Sequence, residues 1–196
     1  TESLQLSVSI SASATTVCSG SSITFTAIPV NAGVSPVYQW KKNGSNVGTN
    51  STTYSASDFI NGDSISCVLT TATLLTATSN SISINVNATV IPSVSISTDS
   101  TNIITGTVVT FTAMITNGGT SPFYQWKKNG SNVGTNSTTY TDNTLINGDV
   151  ITCEITSDAT CASPSTAISN SITMTVNTST SIKQNNQNSY DVKIVP

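Results

Sequence analysis

The chain has 196 residues, a net charge of −3 and 8% charged side chains, and it contains neither histidine nor arginine. A nucleic-acid binder needs a basic stripe with arginine forks, and an anionic membrane surface needs a polybasic patch, so neither is an expected partner. Good helix formers are scarce beside Ser, Thr and Asn, and no apolar run approaches the roughly 20 residues of a membrane span, so the expectation is an all-β protein without membrane insertion.

The chain opens on a polar, strand-like stretch with no basic-plus-apolar leader at Thr1, as expected of a mature or excised segment. Ser7-Val8-Ser9-Ile10-Ser11 alternates, and Ile23, Phe25 and Ala27 then share one face of a second strand. Tyr38 and Trp40 share a face, with Gln39 and Lys41 opposite. Asn43-Gly44 supplies a two-residue hairpin turn, because both residues tolerate positive φ. Val47 lies on the return strand, and Asn61-Gly62-Asp63 forms another turn. Ile65, Cys67 and Leu69 alternate inward, and a last strand alternates through Ile82, Ile84 and Val86.

The whole pattern then repeats. Tyr38 to Tyr54, YQWKKNGSNVGTNSTTY, returns letter for letter as Tyr124 to Tyr140; INGD returns at Ile146, Cys67 as Cys153 and SNSI at Ser169. The period is about 86 residues, too long for a solenoid unit, so each copy is a complete domain of about seven strands, an antiparallel sandwich. The expected domains are 1–87 and 93–178, joined by a short linker at 88–92, with a polar linker at 179–196. The short connection and its Pro92 predict head-to-tail stacking with a small contact.

Candidate chemistry is thin. Without histidine the commonest general base and metal ligand is missing, and no Cys-x-x-Cys spacing occurs, so no cofactor, metal or catalytic residue is expected and the chain reads as a non-enzyme. Asp63 and Asp149 are read as turn-closing side chains rather than calcium ligands, since no second carboxylate stands near either in sequence. Trp40, Trp126, Tyr38 and Tyr124 share the core-facing parity, which favours a core over a sugar-binding platform. Tyr54 and Tyr140 are placed near strand ends, exposed. Lys41, Lys42, Lys127 and Lys128 read as solvated residues that discourage edge pairing.

A tryptophan on the third strand, a following Asn-Gly hairpin and a cysteine on the sixth strand match immunoglobulin-like order, giving two tandem immunoglobulin-like antiparallel β-sandwiches as the fold class. Ala27 and Ala113 stand where the usual partner cysteine would be, and Ile65 and Ile151 where the corner tyrosine would be. With CSGSSITFTA, YQWKKNG and NGDVITC, both copies resemble the immunoglobulin-like repeats of large secreted Bacteroidota proteins that carry a type IX secretion sorting domain. The likeness covers about 170 residues, and YDVKIVP at Tyr190 resembles the opening of such a sorting domain, which this sequence does not continue.

Cys18, Cys67, Cys153 and Cys161 allow three pairings. The simplest keeps each bond within a copy, Cys18–Cys67 and Cys153–Cys161, the latter across a hairpin near Ser157. Members of the resembled family often carry three such cysteines, and each copy here lacks a different one, so the pairing stays open. The alternative leaves Cys67 and Cys153 as buried thiols acting as small hydrophobes. Asp63-Ser64-Ile65 and Asp99-Ser100-Thr101 resemble the O-glycosylation acceptor of these bacteria, which makes Ser64 and Ser100 candidates, Ser100 the better because it lies in a loop.

The resemblance implies a secreted or cell-surface, non-catalytic structural and adhesive repeat module, a stalk or surface-contact segment. Its partners would be other repeats of the same protein and, outside it, a cell surface, a polysaccharide or another protein. The alternatives are an accessory, polysaccharide-contacting module of a large extracellular hydrolase, or a subunit of a surface filament or appendage.

Overall fold

A computed structural model describes residues 5–178. The segment 179–196, with the expected linker and YDVKIVP, lies outside the described residues. By contacts the described residues divide into two compact units, one reaching Pro92 and including Asn117–Ser121 and Ser157–Ser165, the other holding Ser93–Thr116, Pro122–Thr156 and 166–178.

The first sandwich is built from β1 (Ser7–Ala12), β2 (Thr16–Cys18), β3 (Ile23–Val30), β4 (Val37–Lys42), β5 (Ser45–Val47), β6 (Thr53–Ala56), β7 (Ser64–Thr70), β8 (Thr76–Thr78), β9 (Ile82–Ser83) and β10 (Asn85–Asn87). One sheet runs β1-β3-β6; the facing one runs β5-β4-β7-β8, with β9 also on β7. Their alternation points Phe25, Trp40, Ile65, Cys67 and Leu69 into one core, the arrangement of an immunoglobulin-like sandwich. The second copy repeats it with β11 (Ser93–Thr98), β12 (Asn102–Ile104), β13 (Val109–Thr116), β14 (Phe123–Lys128), β15 (Ser131–Val133), β16 (Thr139–Asp142), β17 (Val150–Thr156), β18 (Thr166–Ile168), β19 (Ile172–Thr173) and β20 (Thr175–Asn177). Its sheets are β11-β13-β16 and β15-β14-β17-β18 with β19 on β17, around Phe111, Trp126, Ile151, Cys153 and Ile155. The protein therefore consists of two tandem immunoglobulin-like β-sandwiches.

The Asn-Gly hairpins form as their chemistry requires: Asn43 and Gly44 take φ of 52° and 82°, and Asn129 and Gly130 take 53° and 80°. The last strand departs from expectation. Instead of one strand through Ile82, Ile84 and Val86, β9 pairs antiparallel with β7 and β10 pairs in parallel with β2, so the chain changes sheets at Ile84. Ile84 stays buried, its N–H donating to the Asp63 carbonyl at 2.7 Å, and Met174 does the same with Asp149 at 2.8 Å. The switch ties a sheet edge that would otherwise present unpaired backbone groups.

Candidate functional site

The most developed polar constellation sits where the Asn-Gly hairpin meets the NGD turn. Lys42 ends β4 on the same parity as Trp40, and Asp63 precedes β7, so register brings them together. Asp63 is 2% exposed. Its Oδ1 accepts from Asn43 Nδ2 at 2.7 Å, and its Oδ2 from the Ile60 N–H at 3.0 Å and from Lys42 Nζ at 3.0 Å. Burial alone would raise its pKa; the backbone N–H, Asn43 and Lys42 outweigh that and hold the carboxyl below its ordinary range. Lys42 Nζ also reaches Asp58 at 3.5 Å and lies 5.0 Å above the Phe59 ring.

The second copy keeps the clamp and adds to it. Asp149 accepts from Asn129 at 2.8 Å, from the Ile146 N–H at 2.9 Å and from Lys128 at 3.3 Å. Lys128 also reaches Asp142 at 3.0 Å, the Tyr140 hydroxyl donates to Asp142 at 2.7 Å, and the Thr144 N–H and hydroxyl both donate to it at 2.7 Å. Burial opposes ionisation of Asp142, and these donors reverse the balance, taking its carboxyl far below the ordinary range. Both carboxylates are thus occupied by structural donors, as the turn-closing reading of Asp63 and Asp149 requires. Lys42 and Lys128 correct the expectation of solvated lysines: each is about four-fifths buried and ion-paired.

The aromatic residues go to the core. Trp40 and Trp126 have no exposed surface, and their indole N–H groups donate to the carbonyls of Ser51 and Ser137, both at 2.9 Å. Tyr38 and Tyr124 are buried beside them. Tyr54 and Tyr140, expected to be exposed, are half-buried, stacked on Phe25 and Phe111 with ring centroids 6.2 and 6.0 Å apart. Among the described residues no three His, Cys, Asp or Glu side chains are grouped to hold a metal ion.

The within-copy pairing, Cys18–Cys67 with Cys153–Cys161, does not form, and the alternative of buried thiols at Cys67 and Cys153 does. Cys18 is bonded to Cys161, 143 positions further along the sequence, with Cα atoms 5.5 Å apart, and Cys67 and Cys153 are free and buried. The reason is geometric. Thr156 pairs with Thr166, so the hairpin is centred near Cys161 itself, and the residue across from Cys153 is Ser169, whose hydroxyl accepts the Cys153 N–H at 2.9 Å. Cys67 and Cys153 face the core, where burial raises both thiol pKa values, that of Cys153 to about 11. Of the glycosylation candidates, Ser100 is exposed in the β11–β12 loop and Ser64 is half-buried on β7, bonded through Oγ to Ser81 at 2.5 Å.

The loops between β3 and β4 and between β7 and β8 differ from their counterparts in the second copy. In the first, 31–35 and 71–75 border an open groove of about 310 Å³ lined by Leu6, Ala32, Val34, Thr71 and Leu75. Within Asn117–Ser121 and Ser157–Ser165 the corresponding space is filled. Asp158 accepts from the Ser121 N–H at 3.1 Å and the Thr120 hydroxyl at 3.2 Å, and Ser157 donates to the Asn117 carbonyl at 2.7 Å. A Cβ at Gly119 would overlap Asp158 and Ala159, whereas one at Gly33 would meet nothing. Beside Cys161, Ala162 bridges to Val90, whose N–H donates to the Cys161 carbonyl at 3.0 Å. Sequence reasoning missed both the lysine clamps and the groove. Coincident repetition of KKNG and NGD was the available signal for the clamps; the groove had none.

No family model matches the chain, and no curated protein does. Solved structures resemble it at low identity. The three N-terminal domains of the bacteriophage RB49 highly immunogenic outer capsid protein are 16% identical with a TM-score of 0.41, and the match covers 88% of this chain and 59% of that one. Murine CEACAM1b is 12% identical, with a TM-score of 0.39 over 87% of this chain and 100% of the other. The fibronectin(III)-like modules of Clostridium thermocellum CbhA are 15% identical, with a TM-score of 0.39 over 86% and 94%. At these values the likeness carries nothing about function.

Proposed function

We propose that the chain is a non-catalytic structural and adhesive module, a stalk or surface-contact segment of a secreted or cell-surface protein of the kind its motifs resemble. One observation carries this reading: the residues that could do chemistry or grip a ligand are committed to structure in the same way in both copies. The tryptophans fill cores, the tyrosines stack on phenylalanines, and the NGD carboxylates are held by Asn, Lys and backbone donors. The Cys18–Cys161 bond supports an oxidising, extracellular location. Exposed Ser100 is the hydroxyl we assign to glycosylation. The partners are further repeats of the same protein and a surface that they reach.

Purified chain should turn over neither polysaccharide nor peptide substrates. Turnover abolished by a single substitution would overturn the proposal.

A further inference from the structure

Five asparagines in the chain precede a glycine: Asn43, Asn61, Asn117, Asn129 and Asn147. Such a pair can close on itself. The glycine nitrogen attacks the asparagine side-chain amide, and with no Cβ beside it nothing crowds the approach. The attack needs a side chain free to swing and a backbone N–H without a partner. Every pair but Asn117-Gly118 is denied one or the other. Asn43 is held at both ends of its amide, Nδ2 donating to Asp63 at 2.7 Å and Oδ1 accepting the Ser64 N–H at 2.9 Å. Asn129 is held likewise by Asp149 and Val150, at 2.8 and 2.9 Å. At Asn61 and Asn147 the nitrogen itself is committed. The Gly62 and Gly148 N–H groups donate to the Ile84 and Met174 carbonyls, both at 2.9 Å, while each Asn Oδ1 accepts the N–H of Val86 or Val176.

Asn117 differs. It is exposed just past β13, and its amide makes a single bond, Nδ2 donating to the Ile91 carbonyl at 2.9 Å. Among the described residues its Oδ1 accepts nothing, and the N–H of buried Gly118 donates to nothing. An orphaned buried donor is costly, and the attack removes it. The first copy supplies the control. Asn31 has nearly the same φ, 55° against 54°, and the same kind of bond, to the Gln5 carbonyl at 2.9 Å, but Ala32 follows it. We propose that Asn117 is a site of self-modification, converting to aspartate and isoaspartate in the folded chain while the other Asn-Gly pairs keep their amides. Solvent takes the Gly118 N–H proton and the nitrogen bonds to Asn117 Cγ. The Cγ–Nδ2 bond breaks, and Nδ2 leaves as ammonia with a proton from solvent. Water then opens the cyclic imide at either carbonyl carbon, its hydroxyl staying on the carbon and its hydrogen returning to the nitrogen. Either product exchanges the donor that meets the Ile91 carbonyl for a carboxylate, which repels it. That tie is thereby lost in the second copy, while Asn31 keeps its tie to Gln5 in the first.

Peptide mapping by mass spectrometry of the whole chain, aged in mildly alkaline buffer and in parallel in denaturant, tests this. In denaturant all the Asn-Gly pairs should convert at similar rates, because local sequence alone then decides. In the folded chain Asn117 should convert at least about tenfold faster than any other. Exchanging the following residues should move the reactivity between copies. Gly118→Ala, which copies Ala32, should slow Asn117 at least about tenfold, and Ala32→Gly should make Asn31 convert as Asn117 does. Ala32→Gly carries the comparison by itself if Gly118→Ala melts early. The proposal is overturned if folded chain stays unmodified at Asn117 over the time in which denatured chain converts. It is equally overturned if the other pairs convert as fast as Asn117 in the folded chain, or if Ala32→Gly leaves Asn31 as inert as before.

Discussion

The Lys42 and Lys128 clusters stand at the same place in two copies whose hairpins are identical letter for letter, yet they balance charge differently. Lys128 lies between Asp142 and Asp149, with Tyr140 and Thr144 completing the coordination of Asp142. Where Asp142 stands, the first copy has Ala56, and where Leu145 stands it has Phe59; Lys42 therefore keeps Asp63, borrows exposed Asp58 and lies over an aromatic face. A half-buried ammonium can be satisfied by a second carboxylate or by a ring quadrupole plus a solvated partner. The shared element is the carboxylate on the NGD turn, which in both copies also accepts a backbone N–H, from Ile60 or Ile146.

The largest effect should fall on what the copies share. Trp40→Ala and Trp126→Ala should each cost about 3–5 kcal/mol, nearly equally, because both indoles are fully buried with the same acceptor. Hydrogen exchange of the β7 and β17 amides reads each repeat separately; markedly unequal losses would contradict equivalent cores.

Next comes the clamp, where the copies should part. Asp63→Ala strands Lys42 beside an exposed carboxylate and leaves the Ile60 N–H unmet, costing about 2–3 kcal/mol. Asp149→Ala leaves Lys128 paired with Asp142, so its cost should be lower by about 1 kcal/mol. Equal costs in denaturant melts would mean that Asp142 does not back up Asp149.

Acid should separate the copies in the same sense. Asp63, Asp142 and Asp149 all have folded pKa values below their unfolded ones, so their stabilisation is complete above the unfolded value near 4 and is lost as pH falls through the folded values. The second repeat carries two such groups and the first one, so exchange protection should fall more steeply in β17 than in β7 as pH drops below about 4. Asp142→Ala should bring the two profiles together. The smallest effect is a gain: Ala56→Asp places a carboxylate within the analogous reach of Tyr54 and Lys42, and should stabilise the first repeat by about 1 kcal/mol, seen as a rise in its melting temperature.

Much of the fold was legible because period-two alternation reports facing directly: Phe25, Trp40, Cys67 and their counterparts face the core as their parity demands. Parity also held at Lys42, which shares Trp40's face, and reading it as solvated gave residue type too much weight; an aliphatic stem can line a core edge when a carboxylate waits at the end. The sheet switch at Ile84 was invisible because parity survives it while hydrogen-bond partners change. Cysteine pairing was invisible for a different reason. A loop insertion in the second copy carries Cys161 to the hairpin apex, and where an apex lies in space is not encoded in alternation.

The most direct test of a structural module closed by Cys18–Cys161 is single-molecule extension of the whole chain with and without reductant. With the bond intact, the chain between the two cysteines, which stand 143 positions apart in sequence, cannot lengthen. Reduction should release roughly 500 Å of added contour length at about 3.3–3.6 Å per residue, in two unfolding steps as the sandwiches open. An oxidised chain that extends as far as the reduced one would contradict the covalent closure.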